Sequence, residues 1–166
     1  APTPFSGGSP GEGSLVKTVA ADFPRSGETG YTGGTRVEEE RLIAPSVQAI
    51  GTGGVEIEQN ATLVLDFAVD ETVTNRLDGS GALEKTGSGI AHLTAAGSSV
   101  GAVTVKAGEV ALDQNGLFTA ESYDNTGTTS IASSAQLSVK QAFTQDTAGI
   151  LTVTVGENNE PAITAG

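Results

Sequence analysis

Hydrophobic and polar side chains alternate in short runs along most of the chain. In residues 54–58, Val55 and Ile57 share one side while Glu56 and Glu58 share the other. Alternation with a period of two, rich in β-branched residues, is typical of half-buried β-strands. The same pattern recurs in residues 61–67, 102–106, 135–140 and 150–155. No helical pattern extends beyond two turns, so the sequence predicts an all-β protein.

A near-repeat favours one all-β architecture over another. Residues 11–18 read GEGSLVKT and residues 79–86 read GSGALEKT, and the alignment extends without a gap over residues 11–44 and 79–112. Chance similarity between two Gly/Thr-rich segments is the alternative, but the pattern G-x-G-x-L-x-K-T is kept whole. A sandwich or barrel is joined by hairpins, whereas a solenoid repeats itself at a fixed spacing. We therefore expect a parallel β-helix.

The repeat also sets the expected size and boundaries of the helix. Residue 11 aligns with residue 79, a shift of 68 positions. Since solenoid units start at roughly 20 residues, this shift would hold about three coils, and the chain after residue 10 about seven. Residues 1–10 are rich in Pro, Gly and Ser and are interpreted as a flexible lead-in. Residues 11–166 form the predicted helix.

The alternation also predicts which side chains face the core. Each coil should turn Val, Leu, Ile and Ala inward and Thr, Ser, Glu and Lys outward. The predicted folding core comprises five residues near the end of the chain: Leu137, Val139, Leu151, Val153 and Val155. Four outward threonines are a possible contact surface, and ordinary strand-surface positions are the alternative: Thr62, Thr104, Thr152 and Thr154. Phe23-Pro24 should interrupt the ladder, because proline has no backbone N–H to donate.

Charge and composition exclude several function classes. The chain has 166 residues, a net charge of −12 and only 17% charged residues. Its acidity argues against nucleic acid or anionic lipid as a partner, because like charges repel. The chain has no cysteine, which excludes disulfides and thiolate metal sites. No segment matches a signal peptide or a membrane-spanning helix.

The candidates for catalysis and metal binding are weak. Ser99 lies in a G-x-S-x-G match, but no helix follows it, and the single histidine, His92, precedes it. His92 alternates with apolar neighbours and should point to solvent. The densest carboxylates would suit a glycan hydrolase only if two of them lay roughly 5–9 Å apart: Asp66, Asp70, Glu71 and Asp78. Calcium-binding repeats and EF-hand loops are absent from the sequence. We expect no enzyme, cofactor or metal.

The repeats resemble those of autotransporter (type V secretion) passenger domains, the surface-exposed β-helices of Gram-negative bacteria. Residues 79–112 follow the family pattern, with Ser99 in place of the usual Tyr and Val103 in place of the usual Thr. Residues 26–44 carry the second half of the pattern, including Tyr31. Residues 142–166 are similar to the passage that leads into the C-terminal folding nucleus, or autochaperone segment, of many passengers. Glu40 departs from the pattern, because Gly108 holds the matching place in the second copy.

The resemblance implies a right-handed helix and a structural role. This section would be a stalk that displays a distal part of the passenger on the bacterial surface, after export through the periplasm and outer membrane. It would also support folding as the passenger emerges. The implied partner is an outer-membrane β-barrel downstream in the same polypeptide. The alternative is an adhesin surface, a binding module that associates with itself or with a host protein or glycan.

Overall fold

The chain folds into parallel strands that wind around one apolar axis. The structure, a computed structural model, describes residues 13–17, 23–24, 32–113, 116–155 and 161–166. The predicted lead-in at residues 1–10 and Tyr31 of the family motif lie outside these ranges. The described residues contain strands and one 3-10 turn but no α-helix. Within them, no helix is long and apolar enough to cross a bilayer.

The strands are short except near the end of the chain. In chain order they are β1 (Leu15–Lys17), β2 (Phe23–Pro24), β3 (Thr35–Val37), β4 (Glu40–Ala44), β5 (Val55–Ile57), β6 (Ala61–Asp66), β7 (Glu71–Val73), β8 (Leu77–Gly79), β9 (Ala82–Thr86), β10 (Ile90–Leu93), β11 (Ser99–Val105), β12 (Glu109–Leu112), β13 (Gly116–Asn125), β14 (Thr128–Ile131), β15 (Ala135–Gln145), β16 (Ile150–Val153) and β17 (Ile163–Ala165). The 3-10 turn is Val47–Ile50, between β4 and β5.

These strands form three faces, and every strand pair is parallel. The first face stacks β1, β3, β5, β8, the first parts of β11, β13 and β15, and then β17. The second face stacks β2, β4, β6, β9 and the second parts of the same three long strands. The third face stacks β7, β10, β12, β14 and β16. The structure makes about six turns, which confirms the parallel β-helix and is close to the expected number.

Apolar side chains stack in columns inside the helix. One column on the second face takes a single residue from each successive coil: Leu42, Leu63, Leu83, Val103, Tyr123 and Phe143. All but the last are buried. Because every coil covers the apolar side chains of the coil before it, the core is a continuous thin rod.

The two copies of the sequence repeat lie on different faces. β1 carries the first copy on the first face, whereas β9 carries the second copy on the second face. The shift between the copies is therefore not a whole number of coils. The lysine of both copies nevertheless points inward: Lys17 is 4% exposed and Lys85 is fully buried. The expectation that lysines face outward is wrong at both positions.

Phe23-Pro24 does not interrupt the ladder. β2 pairs in parallel with β4, so that Phe23 faces Leu42 and Pro24 faces Ile43. β2 is the outermost described strand of the second face. An edge strand can hold a proline because one of its two sides needs no partner. The expected break is therefore wrong for these two residues.

Positive backbone φ angles mark the corners of the coils. Gly79 has φ 122°, and a Cβ atom there would lie 2.0 Å from the carbonyl oxygen of Ile57. Glu40 has φ 56°, the single positive value outside glycine among the described residues. Its counterpart in the second copy, Gly108, has φ 65°. Both copies therefore have a left-handed backbone conformation at this corner. In the first copy the residue is Glu40, which is strained in that conformation.

Candidate functional site

The predicted folding core is only partly enclosed. Leu137 and Val139 are each 1% exposed, whereas Leu151 and Val153 are half-buried on β16. Val155 is 82% exposed, so its prediction as an inward residue is wrong. β16 ends at Val153, so Val155 lies beyond the strand. The enclosed part of the predicted folding core is therefore Leu137 and Val139 on β15.

A buried hydrogen-bond network links the C-terminal coils. The hydroxyl groups of Tyr123 and Thr129 lie 2.9 Å apart, and the Thr129 hydroxyl donates to Oδ1 of Asn125 at 3.0 Å. The Asn125 amide in turn donates to Gln145 Oε1 at 3.0 Å and to the carbonyl oxygen of Ile150 at 2.9 Å. Tyr123, Asn125 and Thr129 are buried, so the bonds among them are shielded from water, whereas Gln145 is exposed. We call the side chains of Tyr123, Asn125, Thr129 and Gln145 the polar network.

The polar network lies beside an aromatic stack. The rings of Tyr123 and Phe143 are stacked, with centroids 5.3 Å apart and planes at 14°. Burial raises the pKa of Tyr123 strongly, while its hydrogen bond with Thr129 acts in the opposite direction. Tyr123 is therefore a neutral structural residue at physiological pH. Its ring packs on the next coil while its hydroxyl joins the network.

A second buried polar group lies at a corner of the middle coils. The Lys85 ammonium donates to the carbonyl oxygens of Thr86 at 2.5 Å and Gly87 at 3.0 Å. Burial lowers the pKa of Lys85, and the charge of Asp66 acts in the opposite direction. Gly108 lies directly beside it, since a Cβ there would be 2.8 Å from the Lys85 nitrogen. The lysine thus satisfies corner carbonyls that face the interior.

The alternation pattern did not reveal these groups, because polar side chains were expected to face solvent. Tyr123 and Asn125 have the spacing of inward positions on one strand, and Phe143 and Gln145 face them on the next coil. Alignment at the length of one coil, rather than at the longer repeat, would have revealed an inward column that contains two polar residues: Leu65, Lys85, Val105 and Asn125. That coil-length period is the signal that could have found them.

The four predicted surface threonines do not form one patch. Thr62 and Thr104 lie on the second face in different columns, and both are half-buried. Thr152 is exposed on the third face, and Thr154 follows β16 and is also exposed. Because the faces point in different directions, no single partner surface would contact all four.

A different column of hydroxyl groups runs along the first face. It consists of Ser99, Thr119, Ser138 and Thr164, which face one another on successive strands. Toward the N-terminus the same column continues as Asp78, Glu56, Arg36 and Val16. The outward side of this face therefore changes from charged to neutral between Asp78 and Ser99. We call the neutral half the hydroxyl column.

The charged half of the first face is tied together by ion pairs. The Arg36 guanidinium contacts Glu58 at 2.6 Å, Glu38 at 3.4 Å and Glu56 at 3.7 Å. The hydrogen bond to Glu58, followed by the charge of Glu56, raises the pKa of Arg36. A shallow groove of about 510 Å³ runs beside Arg36 over a floor of glycines. Within it Arg36 pairs with Glu56, and Asp78 pairs with the neighbouring Arg76.

The candidate catalytic residues are also separated. Ser99 is on β11 in the twelve-stranded sheet, whereas His92 is on β10 in the five-stranded sheet. His92 contacts Asp113, with Nδ1 and Oδ2 2.5 Å apart. Ser99 follows no strand-to-helix elbow, since it begins a strand. The geometry gives no support for a serine nucleophile.

The four candidate carboxylates each have a structural place. Asp66 accepts from the Thr86 hydroxyl at 2.8 Å, and Asp70 accepts from the backbone N–H of Ile90 at 2.9 Å. Asp78 pairs with Arg76 at 2.9 Å on another face, and Glu71 lies on β7. Over the part of the chain that the structure describes, no group of three metal-ligating side chains is found. Asp66 and Asp70 therefore link neighbouring coils, and Asp78 forms an exposed ion pair.

Comparison with known proteins identifies no relative. No family model, no curated protein and no solved structure matches this chain.

Proposed function

We propose that this chain is a structural stalk and folding-support section of a secreted passenger displayed on the bacterial surface. The proposal is supported by one observation above all: the strongest inter-coil contacts are concentrated in the C-terminal coils. β13 and β15 pair along nine positions from Gly116 to Asn125, the longest register in the structure. The polar network joins the same coils from inside.

The folding-support role follows from how a solenoid grows. Each coil contacts only its neighbours, so folding propagates from whichever section is stable first. Parallel pairing is non-local and therefore slow, which makes an early stable section valuable. The C-terminal coils combine long strands, an aromatic stack and a buried network. Once folded, they would expose a strand edge with which the preceding coil could pair.

The stalk role is supported by the shape of the core. Stacked strands about 4.8 Å apart give a rod that lengthens with each coil without needing a new core design. In the proposed setting the section would hold a distal part away from the cell, and a barrel downstream in the same polypeptide would anchor it.

The proposal is tested by deletion in the polypeptide that carries this section. Removing residues 79–166 in frame should make the displayed passenger sensitive to protease on intact cells. Asn125→Val should give partial sensitivity, because it breaks the network without removing a coil. Asp124→Val is the matched control, since Asp124 is the exposed neighbour on the same strand. A passenger that stays resistant after the deletion would refute the folding-support role.

An adhesive surface is the second candidate, and the hydroxyl column favours it. Its side chains form a neutral line on a molecule whose net charge is −12. Thr119→Glu combined with Ser138→Glu would place charge on that line while leaving the inward side chains unchanged. If this section mediates attachment, cells displaying the double variant should adhere less although the passenger stays protease-resistant. Unchanged adhesion would leave the stalk role alone.

A further inference from the structure

Two side chains on the second face bond to each other across a strand that lies between them. The guanidinium of Arg41, on β4, donates from Nη2 to Oε1 of Glu84, on β9, at 2.9 Å. β4 pairs with β6 and β6 pairs with β9, so β4 and β9 are second neighbours in the sheet. Two strand spacings, about 9.6 Å, separate their backbones. The bond between Arg41 and Glu84 therefore skips one coil.

The skipped coil is enclosed where the bond crosses it. Val64 on β6 lies between Ile43 and Glu84 in an outward column. It is nevertheless only 2% exposed. An arginine side chain can lay its methylene groups on apolar surface while its guanidinium reaches a polar partner. The path from Arg41 to Glu84 runs over this part of β6, which accounts for the enclosure of an outward valine.

Glu84 has a second cation on its other side. Lys106 follows β11, and its Nζ lies 3.0 Å from Oε2 of Glu84, so each carboxylate oxygen has its own partner. The side chain of Glu84 is 12% exposed, against 36% for Arg41. A carboxylate that is largely shielded from water depends more on its charged partners than one on open surface. Glu84 should therefore keep both contacts in solution.

The bond from Arg41 to Glu84 differs in reach from the ion pairs around Arg36. Those pairs join Arg36 to Glu38 on its own coil and to Glu56 on the next coil. They add to a contact that the backbone ladder already makes. The bond from Arg41 to Glu84 joins two coils whose strands do not pair with each other. It therefore supplies a connection that the ladder lacks.

We infer that Arg41 and Glu84 form a strap that couples the local opening of the β4 coil to the β9 coil, past the β6 coil between them. In a stack of coils that contact only their neighbours, a coil that opens gives up only its contacts with the next coil. The strap holds the β4 coil from two coils away as well. This coupling is independent of the proposed function, because it needs only the folded chain.

Native-state hydrogen exchange measures the strap directly, because amide protons exchange when their coil opens locally. Glu84→Gln keeps the size of the side chain and removes its charge. In the whole chain it should raise the exchange rates of the β4 amides by about tenfold. With neighbour contacts alone these rates would keep their wild-type values, because the β4 coil can open while β6 stays paired with β9.

Two further variants assign the effect to the strap. Lys106→Met is the matched control, because it removes the other cation of the same carboxylate and should leave the β4 rates unchanged. Arg41→Met should raise the β4 rates as Glu84→Gln does. Arg41→Met combined with Glu84→Gln should raise them no further, because either single change already removes the strap. Circular dichroism and thermal melting check that the variants remain folded.

Each outcome decides the inference. Wild-type β4 rates in folded Glu84→Gln or Arg41→Met overturn it. A double variant whose increase is the product of the two single increases also overturns it, because the two side chains would then act independently. An equal increase in Lys106→Met overturns it as well, since the effect would not need Arg41. If Glu84→Gln does not fold, Arg41→Met compared with Lys106→Met decides in the same way. Faster β4 exchange in both single variants, without a further increase in the double variant or any in Lys106→Met, supports the strap.

Discussion

The N-terminal and C-terminal coils follow the same winding but are stabilised differently. Toward the N-terminus, strands have two to six residues, and charged side chains pair on the outside, as around Arg36. Toward the C-terminus, β13 and β15 have 10 and 11 residues, and polar groups pair inside, as around Asn125. Exposed ion pairs contribute little to stability, whereas a satisfied buried network is costly to break. The stable half of the molecule should therefore be the C-terminal half.

The largest expected effect comes from a charge in the enclosed part of the C-terminal core. Val139→Asp would bury an unpaired carboxylate at a position that is 1% exposed. Its free energy of unfolding should fall by more than about 4 kcal/mol, enough to lose the protease-resistant core. Limited proteolysis and urea unfolding measure this. Val155→Asp is the control and should change little, because Val155 is exposed; an equal loss there would contradict the assignment of the core.

Breaking the polar network should have the next largest effect. Asn125→Val leaves the buried Thr129 hydroxyl without its acceptor and the partly buried bonds to Gln145 and to the Ile150 carbonyl oxygen unmade. A buried group that loses a hydrogen bond costs about 1–3 kcal/mol, so urea unfolding should show a loss of about 1–3 kcal/mol. Asp124→Val, on the exposed side of the same strand, should change stability by less than about 0.5 kcal/mol. Equal losses in the two variants would mean that strand propensity, and not the network, determines stability here.

Lys85 should make stability depend on alkaline pH. The folded pKa is lowered from 10.5 by burial, so the unfolded chain binds more protons in the window between the lowered pKa and 10.5. The contribution of Lys85 to the free energy of unfolding therefore rises with pH through that window and is lower below it. Melting temperatures of the wild type and Lys85→Met across this range should differ in slope. Lys106→Met, at an exposed lysine, is the control and should keep the wild-type slope.

Relief of backbone strain should give a smaller, stabilising effect in the N-terminal half. Glu40 holds φ 56° at the place where Gly108 stands in the second copy. Glu40→Gly removes the steric penalty of the left-handed conformation, which stabilises the folded state. Glycine also loses more chain entropy on folding, which offsets part of that gain. We expect a gain of about 0.5 kcal/mol in urea unfolding. Gly108→Ala is the reverse comparison and should destabilise, because a Cβ there would crowd two carbonyl oxygens.

The smallest effect should come from the exposed ion pairs. Arg36→Gln removes the cation shared by three glutamates on the first face. Any change in melting temperature should disappear in about 1 M NaCl, where charges are screened within about 3 Å. An effect that persists in high salt would show that Arg36 acts through packing of its aliphatic part. That result would weaken the contrast between the two halves.

The sequence predicted the fold class more reliably than the inward residues near coil boundaries. Period-two alternation predicted strands within residues 54–58, 61–67 and 135–140, where the structure has β5, β6 and the first part of β15, because each such strand has one buried side. The pattern was wrong for Val155, because the alternation in the sequence continues beyond the end of β16. It was also wrong for Lys17 and Lys85, whose charges are satisfied by carbonyl oxygens that only the closed coil brings together. Inward polar residues such as Asn125 depend on partners in the next coil, which local patterning does not reveal.

The nearest-neighbour stacking of coils has a mechanical consequence. The hydrogen bonds between coils run along the helix axis, so a pull on the two ends of the chain loads the outermost coil before the others. Each coil that peels away exchanges a rise of about 4.8 Å for about 20 residues of extended chain, or roughly 70 Å of length. The protein should therefore yield in even steps under tension, lengthening one coil at a time while the remaining rod keeps its shape.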